Sequence, residues 1–311
     1  MKGKISKLFF YLSLFVLLSY YVYSSCLFDN EKRNNKQINT WGYDLLIGNK
    51  ELYPEESLKI AILDSGINKE HEDLRNVKFH EYNVLEKGEL IEDKFGHGTA
   101  VAGIIAAEDN DVGVKGILKN VEIYDVKILD DEGRGDVYNL IEAINWCIEN
   151  EIEIINLSFG FRSENKQLKE TINSALQKGI IIVASIGNTY GMRGDYPAIY
   201  EGVYSVASIN KDLQRSNFSA KRNIDFVMPG ENIISTDQEG KYSTFSGTSF
   251  STAYATSLIS LLYLQYNNET AQIKKNLSFD DYLKRHVFYG EEWTFDEYGY
   301  GLLNLRGEEL Q

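Results

Sequence analysis

The chain has 311 residues, a net charge of 32 − 46 = −14 and 43% hydrophobic residues, which excludes collagen, low-complexity polymers and a wholly disordered acidic chain. The negative balance argues against a nucleic-acid partner, because a non-specific binder needs Lys and Arg to displace phosphate counterions. Two cysteines, Cys26 and Cys147, cannot build a disulfide framework or a four-cysteine zinc site, and the length suits one large domain or two small ones.

In chain order, Lys2, Lys4 and Lys7 precede an uncharged apolar run at residues 8–28. This layout reads as a signal peptide or membrane anchor over residues 1–28, and the run is nearly long enough to span a bilayer. The lysines favour a cytoplasmic start with the rest of the chain exported. Ser24-Ser25-Cys26 is similar to a bacterial lipoprotein cleavage box, although Tyr23 stands where that box prefers an aliphatic residue. Lipidation at Cys26, a retained anchor and simple cleavage are three open outcomes. The first two give an extracytoplasmic, membrane-associated protein and the third a secreted one. Residues 29–40 are polar and read as a linker, so the globular domain is expected over residues 41–311.

Residues 59–63 (KIAIL) form a short apolar run expected of a strand buried on both faces. A helix is predicted over 97–107, a strand over 121–128, a helix over 136–150 and a strand over 152–157. A helix over 167–178 should stop at Gly179. Strands follow at 180–185 and 203–209, and a long apolar helix at 249–266. Strands alternating with helices predict an α/β fold with a mainly parallel central sheet and helices on both faces, a three-layer arrangement. Its crossovers should be right-handed.

In such sheets functional groups gather at the carboxyl ends of strands. Asp64 directly follows KIAIL, His97 opens a helix after Gly96, and Ser249 opens a helix after Gly247-Thr248. A serine hydroxyl is a weak nucleophile. It needs an imidazole to take its proton and a carboxylate to fix the imidazole tautomer. Each residue alone reads as a cap, turn or structural residue.

Together their contexts are specific. Ile62-Leu63-Asp64-Ser65-Gly66, Gly96-His97-Gly98-Thr99-Ala100-Val101-Ala102-Gly103 and Ser246-Gly247-Thr248-Ser249 resemble the three signatures of the subtilisin-like serine proteases (subtilases, peptidase S8), in that family's chain order. The resemblance covers roughly residues 41–305. It implies a subtilisin-like fold and a serine endopeptidase with Asp64, His97 and Ser249 as triad. Val183-Ala184-Ser185-Ile186-Gly187-Asn188 is similar to the oxyanion segment, with Asn188 as side-chain donor. Ser158, Phe159 and Gly160 resemble one substrate-pairing strand, and Lys127-Ile128-Leu129 with Gly133-Arg134-Gly135 the opposite one. A peptide between them gains main-chain hydrogen bonds on both sides.

Asp195-Tyr196-Pro197 resembles the segment whose first residue lies at the bottom of the primary specificity pocket. A carboxylate there favours a peptide or protein substrate with Arg or Lys before the cleaved bond; Asp195 as a solvated loop residue is the alternative. Asp130, Asp131 and Glu132 are expected to add a preference for basic residues further upstream. Residues 108–114 (EDNDVGV) match the length of the family's calcium loop. By that resemblance Asn110 and Asp73 supply side chains, and Glu108, Val112 and Val114 supply carbonyls, to a structural calcium ion. Gln37 is a further candidate ligand, and an acidic surface turn is the alternative.

Departures are Ala253, where the family usually has proline, and Ala100, often a second histidine; neither removes a catalytic atom. Many relatives carry a folding-assisting prodomain, and only about a dozen residues separate the apolar run from Trp41. Narrow specificity is therefore expected, as in the leader peptidases of lanthipeptide (lantibiotic) and bacteriocin clusters. The competing readings are a broad-specificity secreted subtilase and a non-catalytic peptide-binding module. A monomer is expected. Cys147 is expected in the core, and His71, His80 and His286 in structural or surface positions.

Overall fold

The computed structural model describes residues 37–50 and 57–306. The apolar run, Cys26 and residues 29–36 of the linker lie outside the described residues. The folded unit already includes Gln37 and Ile38, whose amides donate to the carbonyls of Asp111 (2.9 Å) and Gly113 (2.7 Å). Residues 37–40 thus belong to the body rather than to a free linker. Among the described residues no helix is long and apolar enough to cross a membrane.

A short helix α1 (Trp41–Leu46), N-capped by the Thr40 side chain, opens the body. Then come β1 (Leu58–Asp64), β2 (Lys78–Asn83), α2 (His97–Ala106), β3 (Val121–Lys127), α3 (Val137–Glu149), β4 (Ile154–Leu157), α4 (Lys166–Gln177), β5 (Ile181–Ser185) and β6 (Tyr204–Ile209). The second half adds β7 (Phe226–Pro229), the hairpin β8 (Ile233–Thr236) and β9 (Tyr242–Phe245), and α5 (Thr248–Asn268). It closes with α6 (Ala271–Asn276), α7 (Phe279–Lys284), β10 (Val287–Phe288), α8 (Phe295–Tyr298) and β11 (Gly301–Leu303). Nine strands form one sheet in the order β10-β11-β7-β6-β5-β4-β1-β3-β2. All its pairings are parallel except β10 with β11.

The expected α/β architecture is present, with α2 and α5 packed together on one face and α3 and α4 on the other. The connections β2–α2–β3 and β3–α3–β4 step along the sheet in the same direction but carry their helices on opposite faces. They cannot share a hand, so the right-handed rule fails for one of them.

Local chemistry accounts for the elements. β1 sits between β3 and β4, and Ile60, Ala61, Ile62 and Leu63 have no exposed surface. α3 buries Leu140, Ile141, Ala143, Ile144 and Cys147 along one stripe, and the Asp136 side chain caps it. α5 is buried almost all round. Its polar residues survive there because Thr252, Ser257 and Ser260 donate to the carbonyls of Thr248, Ala253 and Thr256, one turn back. The sheet edge β2 carries Lys78 and His80, both paired to Glu122, and these charges hide it from a search for apolar runs.

Candidate active site

Asp64 is the last residue of β1 and lies beside Lys127 in register. Its side chain is 1% exposed. His97, first residue of α2, places Nδ1 at 2.8 and 2.9 Å from the two carboxylate oxygens. A proton on Nδ1 is therefore shared with Asp64, and neutral His97 keeps Nε2 as the free acceptor. Burial of the ring works against its charged form, but the charge and hydrogen bond of Asp64, reinforced by Asp93, prevail. They hold the His97 pKa above its ordinary value.

Asp93, which sequence reasoning overlooked, and Lys127, read there only as part of a substrate strand, fix this pair. Asp93 is buried and caps α2 from outside the helix. Its Oδ1 accepts from the Gly96 amide (2.7 Å) and the Ser65 hydroxyl (2.8 Å), and its Oδ2 from the Thr99 amide (3.0 Å) and hydroxyl (2.5 Å). The Ser65 hydroxyl in turn accepts from the Gly98 amide at 3.0 Å. The loop after β1 and the start of α2 are thus joined through one carboxylate. An acid just before a helix start is the sequence cue for it. Lys127, buried at the end of β3, donates to the carbonyls of Ser65 (2.6 Å) and Glu92 (3.1 Å), tying the same two loops.

Ser249 lies in the first turn of α5. Its hydroxyl donates to the Ser158 carbonyl at 2.8 Å, and the Ser158 hydroxyl donates to the Ser249 carbonyl at 3.2 Å. The neighbouring Phe250 ring lies 5.5 Å from the His97 ring, so the helix start and the imidazole adjoin. Asp64 and His97 are hydrogen-bonded; Ser249 is brought alongside with its hydroxyl turned to Ser158. Behind it runs a buried relay in which Asn156 donates to the Ser158 hydroxyl (2.9 Å) and Thr256 donates to Asn156 (2.9 Å).

Asn188 follows the end of β5. Its Oδ1 accepts from the amide and the hydroxyl of Thr248, both at 3.1 Å. This fixes the side-chain amide so that Nδ2 faces away from Thr248. An added Cβ on Gly247 would lie 3.4 Å from that Nδ2, which puts it at the approach to α5.

The two segments expected to pair with substrate lie side by side. Leu129 and Gly135 form an antiparallel bridge, and Gly135 approaches Phe159, which lies between Ser158 and Gly160 on the facing segment. Gly133 lies under Phe95, where a Cβ would approach the ring to 2.4 Å. The acidic residues of this loop are already balanced. Arg134 pairs with Asp130 and Glu132, and Asp131 with Lys94 and Lys127.

Asp195 sits between two glycine-lined segments. A Cβ on Gly160 would come within 2.9 Å of the Asp195 Cβ, and one on Gly187 within 2.4 Å of its Oδ2. Its amide donates to the Ile186 carbonyl at 2.9 Å. The carboxylate is therefore next to the Ile186-Gly187-Asn188 segment and is not a solvated loop residue. Its Oδ1 is buried without a hydrogen-bond partner. Burial pushes its pKa up, and only Arg162 works in the opposite direction.

The calcium-loop residues also converge. Gln37 Nε2 donates to the carbonyls of Glu108 (2.6 Å) and Val114 (3.3 Å). Asp73 is fully buried, with Oδ2 accepting from the Val114 amide (2.9 Å) and Oδ1 from Asn110 Nδ2 (3.2 Å). The Val112 amide donates to Asn110 Oδ1 at 3.1 Å. The Glu108 and Val114 carbonyls converge on the Gln37 amide donor, so the residues fit a hard cation only with the Gln37 amide turned to present its oxygen and Asn110 Oδ1 released from the Val112 amide. Among the described residues no three His, Cys, Asp or Glu side chains cluster, so a cation here depends on carbonyl and amide oxygens plus one carboxylate.

The remaining residues are structural. Buried His71 bridges the Lys241 carbonyl and the Asp73 amide. His80 pairs with Glu122, and His286 contacts the Tyr282 carbonyl. Cys147 is buried, and burial pushes its thiol pKa up, which makes it inert. Ala100 and Ala253 are fully buried packing residues.

Comparison with known proteins agrees with this geometry. The model of the Subtilase family (peptidase S8) matches residues 55–301. The minor extracellular protease Epr of Bacillus subtilis (strain 168) is 36% identical over 256 residues, 81% of this chain and 38% of that protein. Subtilisin E of the same organism is 34% identical over 262 residues, 82% of this chain and 66% of that protein. Subtilisin of Bacillus pumilus is 35% identical over 262 residues, 82% of this chain and 91% of that protein. The chain thus spans well under half of the first relative and about two thirds of the second. With a family match over most of its length and a hydrogen-bonded Asp–His pair beside a serine at a helix start, the chain belongs to the subtilase family of serine endopeptidases.

Proposed function

We propose that this protein hydrolyses peptide bonds by a Ser-His-Asp acyl-enzyme mechanism. Ser249 turns about χ1 from the Ser158 carbonyl toward His97, a move between staggered wells. As its oxygen attacks the scissile carbonyl, His97 Nε2 takes the proton and Asp64 stabilises the resulting imidazolium. Negative charge gathers on the substrate oxygen, and Asn188 Nδ2 with the Ser249 amide at the start of α5 offers it hydrogen bonds. His97 then returns the proton to the leaving amine. Water attacks the acyl-enzyme with His97 again as base, and Ser249 is regenerated. The observation that carries this reading is the bond of His97 Nδ1 to both oxygens of Asp64. Casein or peptide hydrolysis by Ser249→Ala tests it: more than trace turnover contradicts it.

The substrate we propose has Arg or Lys before the cleaved bond, because Asp195 offers an unsatisfied buried carboxylate oxygen beside the oxyanion segment. Within this class, the leader of a lanthipeptide or bacteriocin precursor ending in a basic residue is the narrower candidate. A broad-specificity subtilase is the alternative, and digestion of a mixed peptide library separates the two. We further propose a structural calcium ion held by Gln37, Asp73 and Asn110 with the carbonyls of Glu108, Val112 and Val114. When bound, it would offset the buried charge of Asp73 and pin the segment at Gln37 to the loop after α2. Lys2, Lys4 and Lys7 before the apolar run support export, with membrane attachment through the N-terminus or through lipid at Cys26. A monomer acting on peptide, not nucleic acid, completes the proposal.

A further inference from the structure

Resting on the proposed reading of Asp195 as the base of the specificity pocket, we infer that Arg162 is a specificity-determining residue: a built-in cation that occupies the pocket carboxylate and that the substrate's basic side chain must displace. Arg162 lies just beyond the substrate-pairing segment Ser158–Gly160. Its Nε is 3.4 Å from Asp195 Oδ1, beyond ordinary hydrogen-bond length. That oxygen has no hydrogen-bond partner.

The pair is lopsided. The Arg162 side chain is 60% exposed and that of Asp195 13% exposed. Asp195 is held by its backbone and enclosed by Gly160 and Gly187, whereas the guanidinium reaches in from solvent. Among the described residues Arg162 has no other ion pair. The guanidinium therefore supplies charge without making the bidentate bonds that an arginine fork can make with a carboxylate. An arginine from the substrate can make those bonds and exclude water. A neutral side chain can neither displace Arg162 nor use the carboxylate. Arg162 thus sets a threshold: it keeps the empty pocket neutral and lowers affinity for weak cationic competitors.

Removing an exposed, imperfect ion pair has a small effect, so the expected change is modest and must be read as a ratio. The test compares matched peptides with Arg or citrulline, its neutral isostere, before the cleaved bond. Wild type, Arg162→Ala, Arg162→Gln and Asp195→Asn are assayed at low and high salt. Both Arg162 variants should raise the Arg-to-citrulline ratio of kcat/KM about two- to fivefold, through KM. The gain should shrink at high salt, because the pair it removes is screened. Benzamidinium should inhibit both variants more tightly than wild type by a similar factor. Asp195→Asn should collapse the ratio toward one.

If the ratio is unchanged or falls in both Arg162 variants while Asp195→Asn still collapses it, the threshold is overturned and the pocket reading stands. If wild type treats Arg and citrulline alike, the pocket reading itself fails and the inference with it.

Discussion

The hydroxyl of Ser249 donates to the Ser158 carbonyl at 2.8 Å while His97 is engaged with Asp64. The Ser249 hydroxyl is thus tied to the segment that follows β4. In the proposed mechanism the hydroxyl leaves that carbonyl before it attacks.

Activity should depend on one deprotonation. Asp64 holds His97 protonated to higher pH than an ordinary histidine, so the base form is lost as pH falls through a value above about 6.5. A pH–kcat/KM profile should show its acid limb there. In Asp64→Asn the limb should move to lower pH and kcat should fall by about 10⁴-fold, because the tautomer is no longer fixed. An unmoved limb would separate the observed titration from His97.

Replacing Asn188 removes one oxyanion donor and also the acceptor for Thr248. Asn188→Ala should lower kcat by about 10²–10³-fold, the magnitude such a donor carries in a subtilisin, with a much smaller change in KM. Steady-state kinetics separate the two. A loss confined to KM would assign Asn188 to substrate binding instead.

Asp93 has four donors and no ion pair among the described residues. Asp93→Ala leaves those buried donors unsatisfied, at about 1–3 kcal/mol in stability, and frees the start of α2. Thermal melts should fall, and kcat should fall with them because His97 is the first residue of that helix. Asp93→Asn keeps acceptor capacity and should restore part of both.

Chelation tests the proposed cation. With calcium in large excess, mass action adds about 2.7 kcal/mol at 100 times the dissociation constant. Chelator should lower the melting temperature, and added calcium should restore it. Asp73→Asn should abolish the response. A melting temperature indifferent to chelator and calcium contradicts the site.

Much of this was legible in the sequence, for physical reasons. β1 and β5 are buried along nearly their whole length and so read as apolar runs. The segments around Asp64, His97 and Ser249 are constrained by chemistry and so carry family signatures. Asp93 and Lys127 act through buried contacts with backbone and small hydroxyls, which leave no periodic pattern. β2 was hidden by edge charges, and β7 to β11 by brevity. The pairing of Asp130, Asp131 and Glu132 with Arg134, Lys94 and Lys127 depends on loop geometry that residue types alone do not specify. Arg162 was invisible because its partner Asp195 lies across a bridge between Phe161 and Tyr196.

The central claim is that His97 activates Ser249 as a nucleophile. Its most direct test is stoichiometric labelling with a fluorophosphonate, located by peptide mass spectrometry. The account predicts one label per chain, on Ser249, formed quickly in wild type and very slowly in His97→Ala. Labelling at another residue, or equal labelling with and without His97, would contradict it.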